Sequence, residues 1–173
     1  MTILVCPLSK VLEMVERHKP GRVISLLDPD YTFPDLGPAY AGRHLQLRFH
    51  DVDVANDLEI GPSAQHVDRL LRFLRSCKAV DVLLIHCRAG ISRSTAAAFI
   101  AACFLNPSVP ERDLAMALRR ASPLARPNQA LVGLADTAMA RGGRMKDAIA
   151  STGRDLPWIP ADEGDVFEMP CSS

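Results

Sequence analysis

The stretch His86-Cys87-Arg88-Ala89-Gly90-Ile91-Ser92-Arg93-Ser94 follows Val80-Asp81-Val82-Leu83-Leu84-Ile85 and precedes Thr95-Ala96-Ala97-Ala98-Phe99-Ile100-Ala101-Ala102. The leading run is short, apolar and rich in β-branched residues, which predicts a buried strand over 80–85. The trailing run is Ala-rich without Gly or Pro, which predicts a helix from about 92 to 105. A cysteine thus stands where a central strand ends, and an arginine where a helix begins. Helix starts offer unpaired N–H groups and the positive end of the peptide dipole, so the junction suits an anion.

The same alternation extends upstream. Ile3-Leu4-Val5-Cys6 reads as an edge or second-rank strand, stopped by Pro7. Ser9 is a candidate cap for a helix through about 18, and Lys19-Pro20-Gly21 breaks it. Residues 22–27 form a strand that ends in Asp28-Pro29-Asp30. Residues 31–42, rich in Pro, Gly and aromatics, form a loop. Residues 44–49 alternate as a strand that delivers His50-Asp51 into an acidic loop over 52–61. Pro62 lies at or near the first position of a helix to about 77.

Downstream the pattern is helical. Helices are expected over 111–121, from Pro127 to about 140, and, after Gly142-Gly143, over 144–150. Interleaved strands and helices followed by more helices predict an α/β fold, with a mixed or parallel sheet of four or five strands. Ligands of such sheets sit outside the carboxyl ends of the strands. Residues 1–150 read as one domain. Residues 151–173 read as a C-terminal tail, lying on the surface with Trp158 and Phe167 as anchors or disordered.

Composition narrows the function. The 173 residues carry twenty basic and twenty acidic side chains, a formal net charge of zero, which argues against a globally basic nucleic-acid binder. No apolar run approaches membrane-spanning length, and the start lacks the features of a secretory signal. The five cysteines, Cys6, Cys77, Cys87, Cys103 and Cys171, are odd in number and include no CxxC pair. A disulfide scaffold and a metal site are therefore not expected, and a reducing cytoplasm is the natural compartment.

The central stretch has its own chemistry. A helix start and Arg93 favour the thiolate of Cys87. Five residues between Cys87 and Arg93 suffice to wrap a tetrahedral anion. Gly90 permits the backbone angles that aim successive N–H groups inward. Arg93 offers a planar fork that matches two phosphate oxygens.

Taken together, strand, His-Cys, five residues, Arg-Ser and helix resemble the HC-x5-R-[ST] signature of the cysteine-dependent protein tyrosine phosphatase superfamily, and its dual-specificity branch in particular. The resemblance covers about residues 23–134. It implies that Cys87 is a nucleophile and that Arg93 binds phosphate with the N–H groups of Arg88, Ala89, Gly90, Ile91, Ser92 and Arg93. It also implies that Ser94 assists the thiolate as a leaving group, that His86 tunes Cys87, and that Asn128, after Pro127, braces the loop. A general acid from an upstream loop is implied as well. Asp51 follows a strand as the family's acid does, but at a spacing of 87 − 51 = 36 residues, against about thirty in the family. Asp57 is nearer that spacing but lies well past the strand, and Asp53 is intermediate. Asp51 is the first choice, Asp57 the second and Asp53 the third.

The resemblance implies a phosphomonoesterase without a cofactor or metal, acting on a phosphorylated protein or a small aryl phosphate. Phosphotyrosine is the first substrate, with phosphoserine and phosphothreonine next. Neither a nucleic-acid nor a membrane partner is expected. Tyr31, Phe33 and Tyr40 are ring candidates for gripping a phosphotyrosine. Phosphoinositide and nucleotide-end phosphatases share the motif, although lipid-directed members tend to carry Lys inside the loop, where this chain has only Arg88. A phosphate-binding pseudophosphatase would share the loop, and a rhodanese-like sulfur carrier would share its cysteine.

Overall fold

The computed structural model describes residues 1–54, 56–77, 82–152 and 162–170. Its sheet has five strands: β1 (Thr2–Pro7), β2 (Arg22–Leu27), β3 (His44–Arg48), β4 (Val82–Cys87) and β5 (Phe167–Pro170). Their order across the sheet is β3-β2-β4-β1-β5. The first four run parallel, and β5 is antiparallel to β1. The expected mixed α/β sheet is therefore present. β1, read as an edge or second-rank strand, lies inside the sheet between β4 and β5. β4 ends on Cys87 itself, two residues beyond the expected end of the strand.

Alternation along the strands builds two cores. Ile3 and Val5 of β1, with Leu83, Ile85 and Cys87 of β4, face α2 (Ala64–Arg75), α3 (Arg93–Leu105), α4 (Glu111–Ala121), α5 (Gln129–Ala138) and α6 (Arg144–Ser151). Leu4, Cys6, Val23 and Leu84 point the other way, against Val11 and Met14 of α1 (Val11–His18). Helix α3 is buried from Arg93 through Cys103. Its alanines let the helix lie close to the sheet, so its first turn sits directly beneath the end of β4. Burial of each large side chain such as Phe99 or Leu84 contributes roughly 1.5–3 kcal/mol.

Helix starts differ in detail from the expectation. Pro62 stands ahead of α2, whose cap is Ser63 in a capping box with His66. Pro127 stands ahead of α5, whose cap is Asn128; the side-chain Oδ1 of Asn128 accepts from the Leu131 N–H at 2.8 Å. A short 3₁₀ turn over Leu8–Lys10 precedes α1, and Ser9 does not cap it. The tail contributes β5, with Phe167 and Met169 buried in the core. Trp158 and Cys171 lie outside the described residues. No helix among the described residues is long and apolar enough to cross a membrane.

Candidate functional site

The carboxyl ends of the four parallel strands converge on one spot. β4 delivers Cys87, β1 delivers Pro7 and Leu8, β2 delivers Asp28, and β3 delivers Phe49 to Asp51. The Cys87 sulfur is buried at the floor. It lies 3.2 Å from the Ser94 hydroxyl and accepts the Gly90 N–H at 3.2 Å.

The loop 88–92 is held from outside through its carbonyls. Leu8 N–H donates to Arg88 O at 3.1 Å, and Gly164 N–H donates to Ala89 O at 2.7 Å. Arg126 N–H donates to Ile91 O at 2.9 Å, and Ala96 N–H to Ser92 O at 2.9 Å. The Thr95 hydroxyl reaches Ile91 O and Ser92 O. A cradle with inward N–H groups leaves its carbonyls facing outward, and four segments of the chain satisfy them here. Gly90 has φ +75°, and a Cβ there would stand 2.9 Å from Pro7 N, so both the angle and the space require glycine.

Arg93 is 3% exposed, and its guanidinium is already oriented. Nη1 and Nη2 donate to the two carboxylate oxygens of Asp28 at 3.0 and 3.2 Å, and Nη1 also donates to Phe49 O at 2.7 Å. Those three bonds use the end and one flank of the fork. The opposite edge, Nε–H with the remaining Nη2–H, is the bidentate face, and Nε has no hydrogen-bond partner among the described residues. Asp51 Oδ2 lies 3.9 Å from that Nε. Asp28, expected to be a turn residue, is thus a part of the site that sequence reading missed. The available signal was its position at the end of the strand beside β4.

The three candidate acids separate. Asp51 Oδ1 accepts from Ser92 Oγ at 2.7 Å and from Asn128 Nδ2 at 3.0 Å, which leaves Oδ2 on the Arg93 side. Asp53 Oδ1 accepts from the N–H groups of Gln129 and Ala130 at the start of α5. Asp57 is exposed and makes no hydrogen bond or ion pair among the described residues. The long spacing from Asp51 to Cys87 has a simple cause. His50 N–H donates to Ile60 O at 2.7 Å, and Ile60 N–H donates to His50 Nδ1 at 2.9 Å, so the intervening residues are pinched out as a loop. Asp51 stays beside the end of β3.

His86 is fully buried behind the cysteine. Ser25 Oγ lies 2.5 Å from His86 Nε2 and 2.6 Å from His44 Nε2, so its single proton serves one ring while it accepts from the other. Burial pushes the His86 imidazole down to about 4, against a smaller pull from the Cys87 backbone, and the ring is neutral at physiological pH. Ser25 and His44 were also missed: each is an ordinary strand residue in sequence. At the rim, the exposed Arg88 lies 5.7 Å from the Tyr31 ring. Phe33 stacks under Arg48, and Tyr40 under Arg43.

No family model matches the chain, and no curated protein is similar to it in sequence. Solved structures are similar to it in fold. The human tyrosine phosphatase-like serine/threonine/tyrosine-interacting protein superposes with a TM-score of 0.61 at 19% identity, over 81% of this chain and 92% of that one. DUSP15 superposes with a TM-score of 0.58 at 20% identity, over 89% and 92%. PTPMT1 in complex with PI(5)P superposes with a TM-score of 0.56 at 14% identity, over 81% and 94%. The chain carries the fold of the cysteine-dependent, dual-specificity-type protein tyrosine phosphatases.

Proposed function

We propose that the protein is a phosphomonoesterase that works through a phosphocysteine on Cys87. The observation that carries this reading is the unspent Nε/Nη2 edge of a clamped, buried Arg93 beside the Cys87 loop, with Asp51 Oδ2 3.9 Å from Nε. A phosphate dianion on that edge and on the loop N–H groups would sit above the sulfur. Arg93 and the backbone then supply the positive field that developing charge on the phosphoryl oxygens requires.

In the first step the Cys87 thiolate attacks phosphorus in line. The S–P bond forms as the bond to the leaving oxygen breaks, and Asp51 Oδ2 gives its proton to that oxygen. In the second step Asp51 takes a proton from water as the water attacks phosphorus. The S–P bond breaks, inorganic phosphate leaves, and the Ser94 hydroxyl stabilises the departing thiolate. Asn128 and Ser92 hold the other oxygen of Asp51 and so aim Oδ2.

Phosphotyrosine in proteins is the proposed substrate class, with phosphoserine and phosphothreonine second. The single basic side chain within the loop, Arg88, lies against Tyr31, which supports an aryl phosphate over a polyanionic headgroup. The test is the burst and steady-state hydrolysis of aryl phosphates graded by leaving group, with phosphoinositide vesicles as a parallel arm. Cys87→Ser is expected to abolish turnover while retaining oxyanion binding. Asp51→Asn is expected to lower kcat strongly for poor leaving groups and weakly for activated ones. Unchanged turnover in Cys87→Ser overturns the reading. A steep leaving-group dependence that appears in Asp57→Asn and not in Asp51→Asn would reassign the acid.

A further inference from the structure

The C-terminal segment meets the phosphate loop in a way that neither the sequence nor the proposed chemistry accounts for. Gly164 lies 75 residues beyond Ala89, yet its N–H donates to Ala89 O at 2.7 Å. A Cβ on Gly164 would stand 3.1 Å from Ile91 Cγ1, 3.2 Å from Gly90 O and 3.5 Å from Ala89 O, so the segment lies flush against three consecutive loop residues. It is fastened on both sides. The Ser9 hydroxyl donates to Glu163 at 2.7 Å, and β5 pairs with β1 from Val5–Phe167 onward, burying Phe167 and Met169.

On its other side, the loop packs against the end of β1. Leu8 N–H holds Arg88 O, and the Cys6–Pro7 backbone fills the space beside Gly90. The loop therefore lies between two backbone segments that are themselves hydrogen-bonded neighbours through β1 and β5. An Ala89 carbonyl without its donor would be free to turn, and the peptide that carries it also carries the Gly90 N–H, which points at the Cys87 sulfur. Rotation of that one peptide removes an inward donor from the cradle.

We propose that residues 162–166 are a strap that completes the oxyanion site, with Gly164 as a positioning residue that fixes the Ala89–Gly90 peptide. The proposal rests on the phosphatase reading of the loop, but its test does not need turnover. Equilibrium binding of orthovanadate is measured for the full chain, for Gly164→Ala (which forces a Cβ against Ile91 and Gly90) and for Gly164→Pro (which deletes the donated N–H), with thermal melts alongside. Hydrolysis of graded aryl phosphates is the second arm.

Both variants are expected to weaken vanadate binding about tenfold. In the second arm, kcat/KM should fall by a similar factor for every leaving group, because the strap acts on the phosphate cradle and not on the acid. Ser9→Ala, which loosens the strap without touching the loop, should give a smaller shift in the same direction. Variants that melt earlier but bind vanadate as the parent does overturn the proposal, since the strap would then be structural only. A parent that binds no oxyanion overturns it too. A parent that binds vanadate but turns over no ester sinks the phosphatase reading alone.

Discussion

Replacing Asp28 with Ala removes the carboxylate that holds both terminal nitrogens of Arg93, while Phe49 O remains as a single acceptor. Arg93 is 3% exposed and Asp28 17%. Breaking a buried pair from one side costs roughly 3–5 kcal/mol, and the residual acceptor and the partly open carboxylate bring this to about 2–4 kcal/mol. For a chain of this length, that corresponds to a Tm lower by about 5–15 °C. Two effects on catalysis oppose each other. Loss of the negative charge strengthens the field of Arg93 on a bound anion by on the order of 1 kcal/mol. Loss of orientation in a group that must meet two phosphate oxygens costs on the order of a hundredfold, about 2.7 kcal/mol. The orientation term is the larger, so kcat/KM for an aryl phosphate is expected to fall ten- to a hundredfold. Steady-state kinetics below the melting temperature measure this, and an Arg93→Ala background shows the route: Asp28→Ala should add little there. A folded Asp28→Ala protein with kcat/KM within twofold of the parent refutes the clamp.

Other consequences follow from single contacts. Gly90→Ala meets Pro7 N at 2.9 Å and must hold φ near +75°, so it is expected to cost more than about 1 kcal/mol of stability and to abolish vanadate binding; parent-like binding would contradict the cradle geometry. Asp53→Ala removes the carboxylate at the start of α5 and should cost about 0.5–2 kcal/mol in a denaturant melt without changing the leaving-group dependence of hydrolysis. The buried His86, held down to about 4, takes no proton in the native state between about pH 4 and 6.5, whereas the unfolded chain does; stability is therefore full above about 6.5 and is lost as pH falls, by up to about 3 kcal/mol near pH 4, a slope that His86→Gln should flatten. Burial first, and Cys87 second, push the Cys6 thiol up to about 12, so alkylation at neutral pH should leave Cys6 unlabelled until the chain is denatured, as read by peptide mass.

Local sequence alone determined the strand–loop–helix unit and the members of its loop. The apolar run before His86, the five-residue spacing to Arg93 and the Ala-rich run after Ser94 are short-range patterns, and a short-range pattern specifies its own backbone. Most strand bounds were legible for the same reason; the apolar run over residues 22–27 is β2. Strand order was not legible, so β1 reads in sequence as an edge or second-rank strand. β5 escaped notice because four residues carry too little pattern, and only the partner edge of β1 makes them a strand.

The tertiary structure decided what surrounds the loop. Asp51, Asp53 and Asp57 are three similar carboxylates in one acidic loop, and spacing could not rank them. Their contacts separate them: Asp51 meets Ser92, Asn128 and Arg93, Asp53 meets the start of α5, and Asp57 is exposed. Asp28 follows β2, Ser25 lies on β2 and His44 on β3, and the contacts of Asp28 with Arg93, of Ser25 with His86 and of His44 with Ser25 exist only once the sheet is ordered β3-β2-β4. Gly164 is the extreme case, a glycine in a nondescript tail that closes on Ala89 from 75 residues away. Cys87, Arg93 and the loop between them are a local property of the chain. The groups that aim them come from elements distant in sequence, and no local pattern encodes a contact made by sheet order.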